Sequence, residues 1–269
     1  MRKIWIPLFF IPFTLSATDL KPWFPRYLEI QPQVTFLHTQ YNLVDKGKKN
    51  GRKKTRDGFL NGSVEIAYDA FCGEIEANFC SENYKNFVTN DLSGTLRYQV
   101  FDDVIGDPVS VVVGATVRQV FDPGLKNITV FYHGGIEGEF HLSVGKEFSR
   151  ESMWTSRAWT DCSLGIADHG SPWIKGEVCW EKNWCETDFF KLFAQGIYGL
   201  GHHDLHLSRP FNGYGSIRQQ AIDVGASYKQ LFVCNGSSLT FGYSRRVHAA
   251  NCPKEVNTVF LTYLHPFGL

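Results

Sequence analysis

The sequence predicts an all-β protein, an antiparallel up-and-down transmembrane β-barrel of about 12 strands. Apolar and polar residues alternate with period two along most of the chain, and no convincing helical stripe is present. Many alternating segments are ten to thirteen residues long, whereas strands of soluble sandwiches usually have about five or six residues. Short connections alternate with long ones, as expected for a barrel whose two termini lie at the same end.

The composition limits the function classes. The 269 residues include 27 basic and 27 acidic side chains, with 20% charged and 15% aromatic residues and 25 glycines. Such a chain is too apolar and too weakly charged to be disordered. A net charge of zero gives no general argument for nucleic acid as a partner, and we expect none.

The N-terminus has the layout of an export signal. A basic head, Met1–Lys3, precedes an apolar run over Ile4–Leu15, and the small residues Ser16 and Ala17 follow. The run is too short to span a bilayer as a helix. The sequence therefore predicts a secretory signal peptide over 1–17 and a single barrel domain over 18–269.

Cysteine usage predicts neither a metal site nor a cofactor. No C-x-x-C motif is present, and no histidine has zinc-finger spacing relative to a cysteine. Because the seven cysteines are an odd number, at least one thiol is free or pairs with another chain. Alternatively, several of them act as small buried apolar residues. They are Cys72, Cys80, Cys162, Cys179, Cys185, Cys234 and Cys252.

The alternation locates the strands. Along Phe71–Cys80, for example, Phe, Gly, Ile, Ala and Phe share one face, and Cys, Glu, Glu, Asn and Cys share the other. The first long connection falls at 39–58. We place the strands near 27–38, 59–68, 71–80, 92–101, 109–120, 134–148, 156–167, 172–183, 188–200, 217–228, 237–248 and 256–265.

Aromatic residues gather at or near the predicted strand ends, as in the aromatic girdles of membrane barrels. This favours a membrane barrel over the alternative of a secreted soluble β-sandwich that binds a ligand. The residues concerned are Tyr27, Tyr68, Phe71, Tyr98, Phe101, Phe148, Trp154, Trp159, Trp173, Trp180, Trp184, Phe189, Tyr198, Tyr228, Tyr243 and Tyr263.

The chain resembles a bacterial outer-membrane β-barrel protein. The resemblance covers 18–269 as architecture, and the last strand, Asn257–His265, is followed by Phe267 near the C-terminus, where such barrels carry an aromatic residue. It implies a cell outer-membrane location, with outer-membrane lipid and lipopolysaccharide as partners. The cysteine-bearing barrel is also loosely similar to those of Chlamydia-like bacteria.

The polar face of the strands is expected to line a lumen. Long acidic and basic side chains from opposite walls would meet there, because about twelve strands enclose a narrow space. The interior is either plugged by salt bridges or a narrow pore in which the acidic excess favours small cations. The candidate lumen residues are Glu29, Glu65, Glu74, Glu76, Arg97, Arg118, Glu139 and His141.

The predicted first outer loop is strongly basic, since seven of the 27 basic residues lie within eleven positions, 46–56. The run is either a solvated loop or an anion-binding surface for lipopolysaccharide phosphates or anionic host glycans. The candidate anion-binding residues are Lys48, Lys49, Arg52, Lys53, Lys54 and Arg56.

An enzymatic alternative depends on His206 and Ser208, which share a face in an extended chain. This H-x-S pattern is similar to the site of outer-membrane phospholipases and lipid A deacylases. That resemblance implies a third polar group to orient the histidine, for which Asp204, Asn212 or Asp223 is available. Arg209 stands where that family has asparagine. We favour the non-enzymatic interpretation, a surface-exposed structural or narrow-pore, porin-like protein.

Overall fold

The computed structural model describes residues 20–46, 50–82, 86–151, 153–207 and 210–268. The predicted signal peptide, 1–17, lies outside the described residues. One sheet contains all the strands, of which twelve are long. The strands are β1 (Glu29–Asp45), β2 (Asn50–Tyr68), β3 (Phe71–Glu82), β4 (Val88–Phe101), β5 (Ser110–Val120), β6 (Ile136–Arg150), β7 (Met153–Ala167), β8 (Trp173–Asn183), β9 (Asp188–Gly199), β10 (Gln220–Leu231), β11 (Ser238–Ala250), β12 (Pro253–Lys254), β13 (Asn257–Leu264) and β14 (Phe267–Gly268).

The sheet closes into a barrel. Consecutive long strands pair antiparallel, and β1 pairs with β13 over Gln33–Gln40 as well as with β2. The two-residue strands β12 and β14 add to the two ends of β1. The predicted fold class, with twelve long strands and both termini at one end, is therefore confirmed. We call that end the terminus end and the opposite end the loop end.

The barrel is apolar outside and charged inside. Ile75 and Phe140 are each 65% exposed on the outer face, whereas Arg97 and Glu137 are 2% and 1% exposed on the inner face. Strand alternation produces this pattern, because successive side chains point to opposite faces of the sheet. A soluble sandwich would bury the apolar face instead, so the sandwich alternative is wrong for this chain.

The prediction of a loop over 39–58 is wrong. Strand β1 continues to Asp45 and β2 begins at Asn50, with Thr39 opposite Asp57 and Tyr41 opposite Thr55. The run of basic side chains indicated a solvated loop. However, Tyr41 continues the alternation, and a β-bulge between Tyr41 and Leu43 brings Val44 to the same face. Both side chains are buried against the loops at this end of the barrel, which extends the two strands.

The aromatic girdle forms at the terminus end, where Tyr27 packs on Tyr68 with ring centroids 5.3 Å apart. Three aromatics assigned to the girdle point into the barrel instead: Trp159, Trp173 and Phe189 are 4%, 0% and 8% exposed. The position of an aromatic residue at a strand end does not show on which face of the strand it lies. The set of girdle residues predicted from the sequence therefore included residues that point inward.

The described part of the chain has one short helix, α1 (Asp122–Lys126), and no helix suited to crossing a membrane. Within the same residues, no three His, Cys, Asp or Glu side chains form a group that could hold a metal ion. All seven cysteines are described and none is in a disulfide; four of them, Cys72, Cys80, Cys179 and Cys252, are buried.

Candidate functional site

The loop-end half of the lumen contains a network of ion pairs centred on Arg118. Its guanidinium lies 3.3 Å from Asp91, 3.1 Å from Glu137 and 3.4 Å from Glu139. Lys175 of β8, two strands away from β6, also pairs with Glu139. Because β4, β5, β6 and β8 each contribute a charge, this network ties neighbouring strands together along one side of the interior.

A second charged cluster lies toward the terminus end. Arg97 pairs with Glu65 and donates a hydrogen bond to the Cys72 sulfur at 3.3 Å. Next to it, the Asn61 amide donates to Glu76 at 2.7 Å. Glu74 is 8% exposed, and its Oε2 has no hydrogen-bond partner among the described residues. The second cluster therefore contains more carboxylates than its single buried arginine, Arg97, can neutralise.

A polar row crosses the inner face of the wall from β6 to β10. The register places Ser143 beside Asp161, then Glu177, Gln195 and Asp223, on consecutive strands. Ser143 Oγ and Gln195 Nε2 have no hydrogen-bond partner in the described part of the protein, although both are buried. Buried polar atoms of this kind are costly unless water satisfies them, so this chemistry suits a hydrated interior.

The terminus end of the lumen is closed by residues 20–28, which we call the N-terminal plug. Trp23 is 6% exposed and meets the Trp159 ring edge-to-face, with centroids 5.8 Å apart. Its indole N–H donates to Asp103 at 2.9 Å, and the Arg157 guanidinium lies 4.9 Å from its ring. Cys179 completes this buried cluster.

Two further contacts join the N-terminal plug to the second charged cluster, and both involve Arg97. The Arg97 guanidinium lies 5.2 Å from the centre of the Phe24 ring, and Arg97 also donates to the Lys21 carbonyl at 3.4 Å. Gly145 makes room for the plug, because a β-carbon there would lie 2.6 Å from Pro22 and 2.8 Å from Trp23. The plug is thus seated in a fitted recess of the wall.

The loop end is closed by the segments 121–135, 200–207, 210–219 and 251–256, which we call the cap. Their apolar side chains, among them Phe131, Leu205, Tyr214 and Cys252, form one buried cluster with Trp173 of the wall. The Tyr214 hydroxyl, fully buried, donates to the carbonyl of Ile128 at 2.7 Å, which joins two of the loops.

Polar contacts fasten the cap to the barrel. Thr129 donates to Asp57 at 2.6 Å, and the Tyr132 hydroxyl bonds to Asp91. The His133 ring stacks on Trp173 with centroids 3.8 Å apart and bonds to Gln219 at 2.5 Å. Burial lowers the pKa of His133, so the ring is neutral and the cap holds without a histidine charge.

Gly165 should be essential for the cap, because a β-carbon there would lie 2.0 Å from the Trp173 ring. We expect Gly165→Val to displace Trp173 and to destabilise the cap by about 1–3 kcal/mol. Labelling of buried Cys252 by a water-soluble thiol reagent should then be about tenfold faster or more. Gly62→Val is the matched control, since a β-carbon there meets nothing within 4 Å. Equal labelling of the two variants would contradict the assigned role of Trp173.

The predicted lumen residues all lie on β1 to β6. Glu65, Glu74, Glu76, Arg97, Arg118, Glu139 and His141 line the interior, whereas Glu29 lies at the terminus end and accepts a hydrogen bond from Gln31 at 2.5 Å. Sequence reasoning did not identify Trp23 and Tyr214, and it assigned Trp159 to the girdle, although all three side chains pack at the two ends of the lumen. The only signal of Trp23 and Tyr214 was an aromatic residue outside the predicted strands.

The predicted basic loop belongs to the β1–β2 hairpin. Lys54 and Arg56 are exposed on its outer face, and Arg52 and Lys53 lie within β2. Lys48 and Lys49 lie outside the described residues.

The candidate hydrolase pair falls in the cap. His206 is exposed, and its neighbours Leu205 and Leu207 pack into the buried cluster of the cap. Ser208 and Arg209 lie outside the described residues, so the His206–Ser208 contact remains a prediction. Leu205, which is 1% exposed, packs this part of the segment into the cap.

No protein-family model and no curated protein sequence matches the chain. Solved structures do match it. An outer membrane channel from Pseudomonas putida F1 has a TM-score of 0.67 at 10% identity, over 94% of this chain and 100% of that one. The NanC porin has a TM-score of 0.56 at 6% identity, over 87% and 100%. The KdgM porin has a TM-score of 0.51 at 8% identity, over 87% and 99%.

At these identities the likeness establishes the fold: this chain has the architecture of bacterial outer-membrane β-barrels. The match spans 99–100% of each of these solved chains. The likeness to barrels of Chlamydia-like bacteria remains a prediction.

Proposed function

We propose that the chain is an outer-membrane β-barrel that works as a narrow, gated channel for small ions. The observation that carries this proposal is a charged, buried lumen that is closed at each end by a chain segment folded into the opening. Such segments can move without disturbing the wall of long strands, since the plug precedes β1 and the cap consists of segments between the long strands.

Placement in an outer membrane is supported by the apolar outer face and the girdle at the terminus end. In a bilayer, only helices and closed barrels satisfy all their backbone hydrogen bonds. Three neighbours are described as an outer membrane channel or as porins. We infer that the chain reaches this membrane through the predicted signal peptide over 1–17.

We expect the open channel to prefer cations, because carboxylates outnumber basic groups along the lumen. Glu74→Gln together with Glu76→Gln should reduce the cation preference, measured as a reversal potential in a salt gradient across a planar bilayer. Adding Glu139→Gln should reduce it further, since Arg118 and Lys175 then lose a counter-charge. Glu186→Gln, in an exposed turn outside the lumen, is the control. An unchanged reversal potential would contradict the assignment.

The exposed basic side chains of the β1–β2 hairpin suggest a second role at the surface. Their positive charge would attract lipopolysaccharide phosphates or anionic host glycans.

We do not favour the lipid-hydrolase alternative, because the segment with His206 contributes Leu205 to the buried cap. Acyl release that disappears in both His206→Ala and Ser208→Ala would overturn that choice.

A further inference from the structure

A shallow cavity lies on the outer wall near the loop end, where β2, β1, β13 and β11 are neighbours. Its volume is about 240 Å³, and its lining includes Lys54, Arg56, Arg245 and Glu255. These four side chains are exposed and point away from the lumen. The cavity is therefore separate from the channel, and it shares Glu255 with the cap.

The sheet register builds this cavity from remote parts of the sequence. Arg56 is opposite Gln40, Gln40 is opposite Asn257, and Asn257 is opposite Arg245. Four consecutive strands thus contribute one transverse row with an arginine at each end. Lys54 stands two residues farther along β2, on the same face as Arg56.

The cavity begins where the apolar belt ends. Two residues closer to the terminus end, Tyr243 and Val259 are opposite each other and are 43% and 38% exposed on the outer face. The Tyr243 hydroxyl donates to Asn257 at 2.6 Å, so the tyrosine has its ring in the belt and its polar atom at the row. Tyrosines of this kind mark the level of lipid headgroups.

The charge of the lining fits a phosphate. Three cationic side chains face one carboxylate, Glu255. Arginine forks bind phosphate oxygens in pairs, and the amide of Gln40 adds a further donor. The cavity is smaller than those that enclose whole small-molecule ligands. Its size suits a headgroup fragment whose acyl chains continue down the apolar wall.

From these observations we propose that the outer wall carries a binding site for the phosphate group of an anionic membrane lipid, formed by Arg56, Arg245 and Lys54. The proposal rests on the outer-membrane placement given above but is independent of conduction. The occupant is a lipid rather than free phosphate, because the site is open toward the belt on which acyl chains would lie.

The test measures binding to the purified full-length mature barrel in detergent by native mass spectrometry. The probes are a bisphosphorylated lipid A, phosphatidylcholine and inorganic phosphate. Arg56→Gln with Arg245→Gln removes two charges from the site. Arg26→Gln with Arg150→Gln removes two exposed charges at the terminus end and serves as the matched control. Heat-modifiable mobility verifies that each variant is folded.

We expect the wild type to bind the bisphosphorylated lipid in preference to phosphatidylcholine. The Arg56, Arg245 variant should bind it about twenty-five-fold more weakly, at about fivefold for each charge, while the control keeps its affinity. Wild-type affinity in the Arg56, Arg245 variant would overturn the proposal. Equally, displacement of the lipid by equimolar inorganic phosphate would overturn it, since the site would then be one for free anions. Neither result changes the expected conductance, so the channel proposal is tested separately.

Discussion

Leu142→Arg should lower the folding stability of the barrel by about 2–4 kcal/mol, whereas Ile136→Arg should lower it by about 0–1 kcal/mol. Both residues face outward on β6 and are 45% and 52% exposed. Leu142 lies near the middle of the strand, and Ile136 is its first residue, at the loop end. In a bilayer the cost of an outward arginine depends on depth, so the two changes should differ although their chemistry is the same.

Heat-modifiable mobility and urea unfolding in lipid vesicles measure this difference. The pair of variants controls for the loss of an apolar residue and for the added charge. If the two arginines were tolerated equally, the outer face would not be a membrane belt. That result would contradict the outer-membrane placement while leaving the barrel fold unaffected.

Trp23→Ala combined with Phe24→Ala should release the N-terminal plug. Trp23 packs on Trp159 and shields Cys179, which is 2% exposed. Loss of both rings removes about 3–5 kcal/mol of packing for each of them, which is enough to expose the recess. Cys179 should then react readily with a water-soluble thiol reagent, whereas in the wild type it should react slowly.

Trp184→Ala is the matched control for this change. Trp184 lies in a turn at the same end of the barrel and is 80% exposed, so its loss should leave the reactivity of Cys179 at the wild-type level. Reaction at exposed Cys185 gives an internal reference for reagent access at this end. Slow reaction of Cys179 in the plug variant would show that other groups close the lumen.

The barrel could be predicted from sequence because its strands obey a local rule. Alternation assigns each residue to a face, and strand length distinguishes a membrane barrel from a sandwich. This rule alone predicts that Ile75 faces outward and Glu74 faces inward. In the structure Ile75 is 65% exposed and Glu74 is 8% exposed. Closure also followed from an even number of strands with both termini at one end.

The two closures of the lumen could not be predicted, because they depend on contacts between remote residues. Trp23 meets Trp159 across 136 positions of the chain, and nothing in the short segment Lys21–Pro25 indicates that it turns into the barrel. The outer cavity has the same cause: Arg245 and Arg56 come to line one cavity only through the closure of β1 on β13. The basic hairpin misled the prediction because its charge outweighed the apolar Tyr41 and Val44, and a β-bulge between them breaks the alternation.

Single-channel recording in planar bilayers tests the gated-lumen proposal most directly. The wild type and the Trp23→Ala, Phe24→Ala variant should be compared at equal protein, with Trp184→Ala as the control. We expect the plug variant to show larger and more frequent cation-selective openings than the wild type, and the control to match the wild type. A folded plug variant that stays silent, or conducts no more than the wild type, would contradict the proposal that residues 20–28 close a channel.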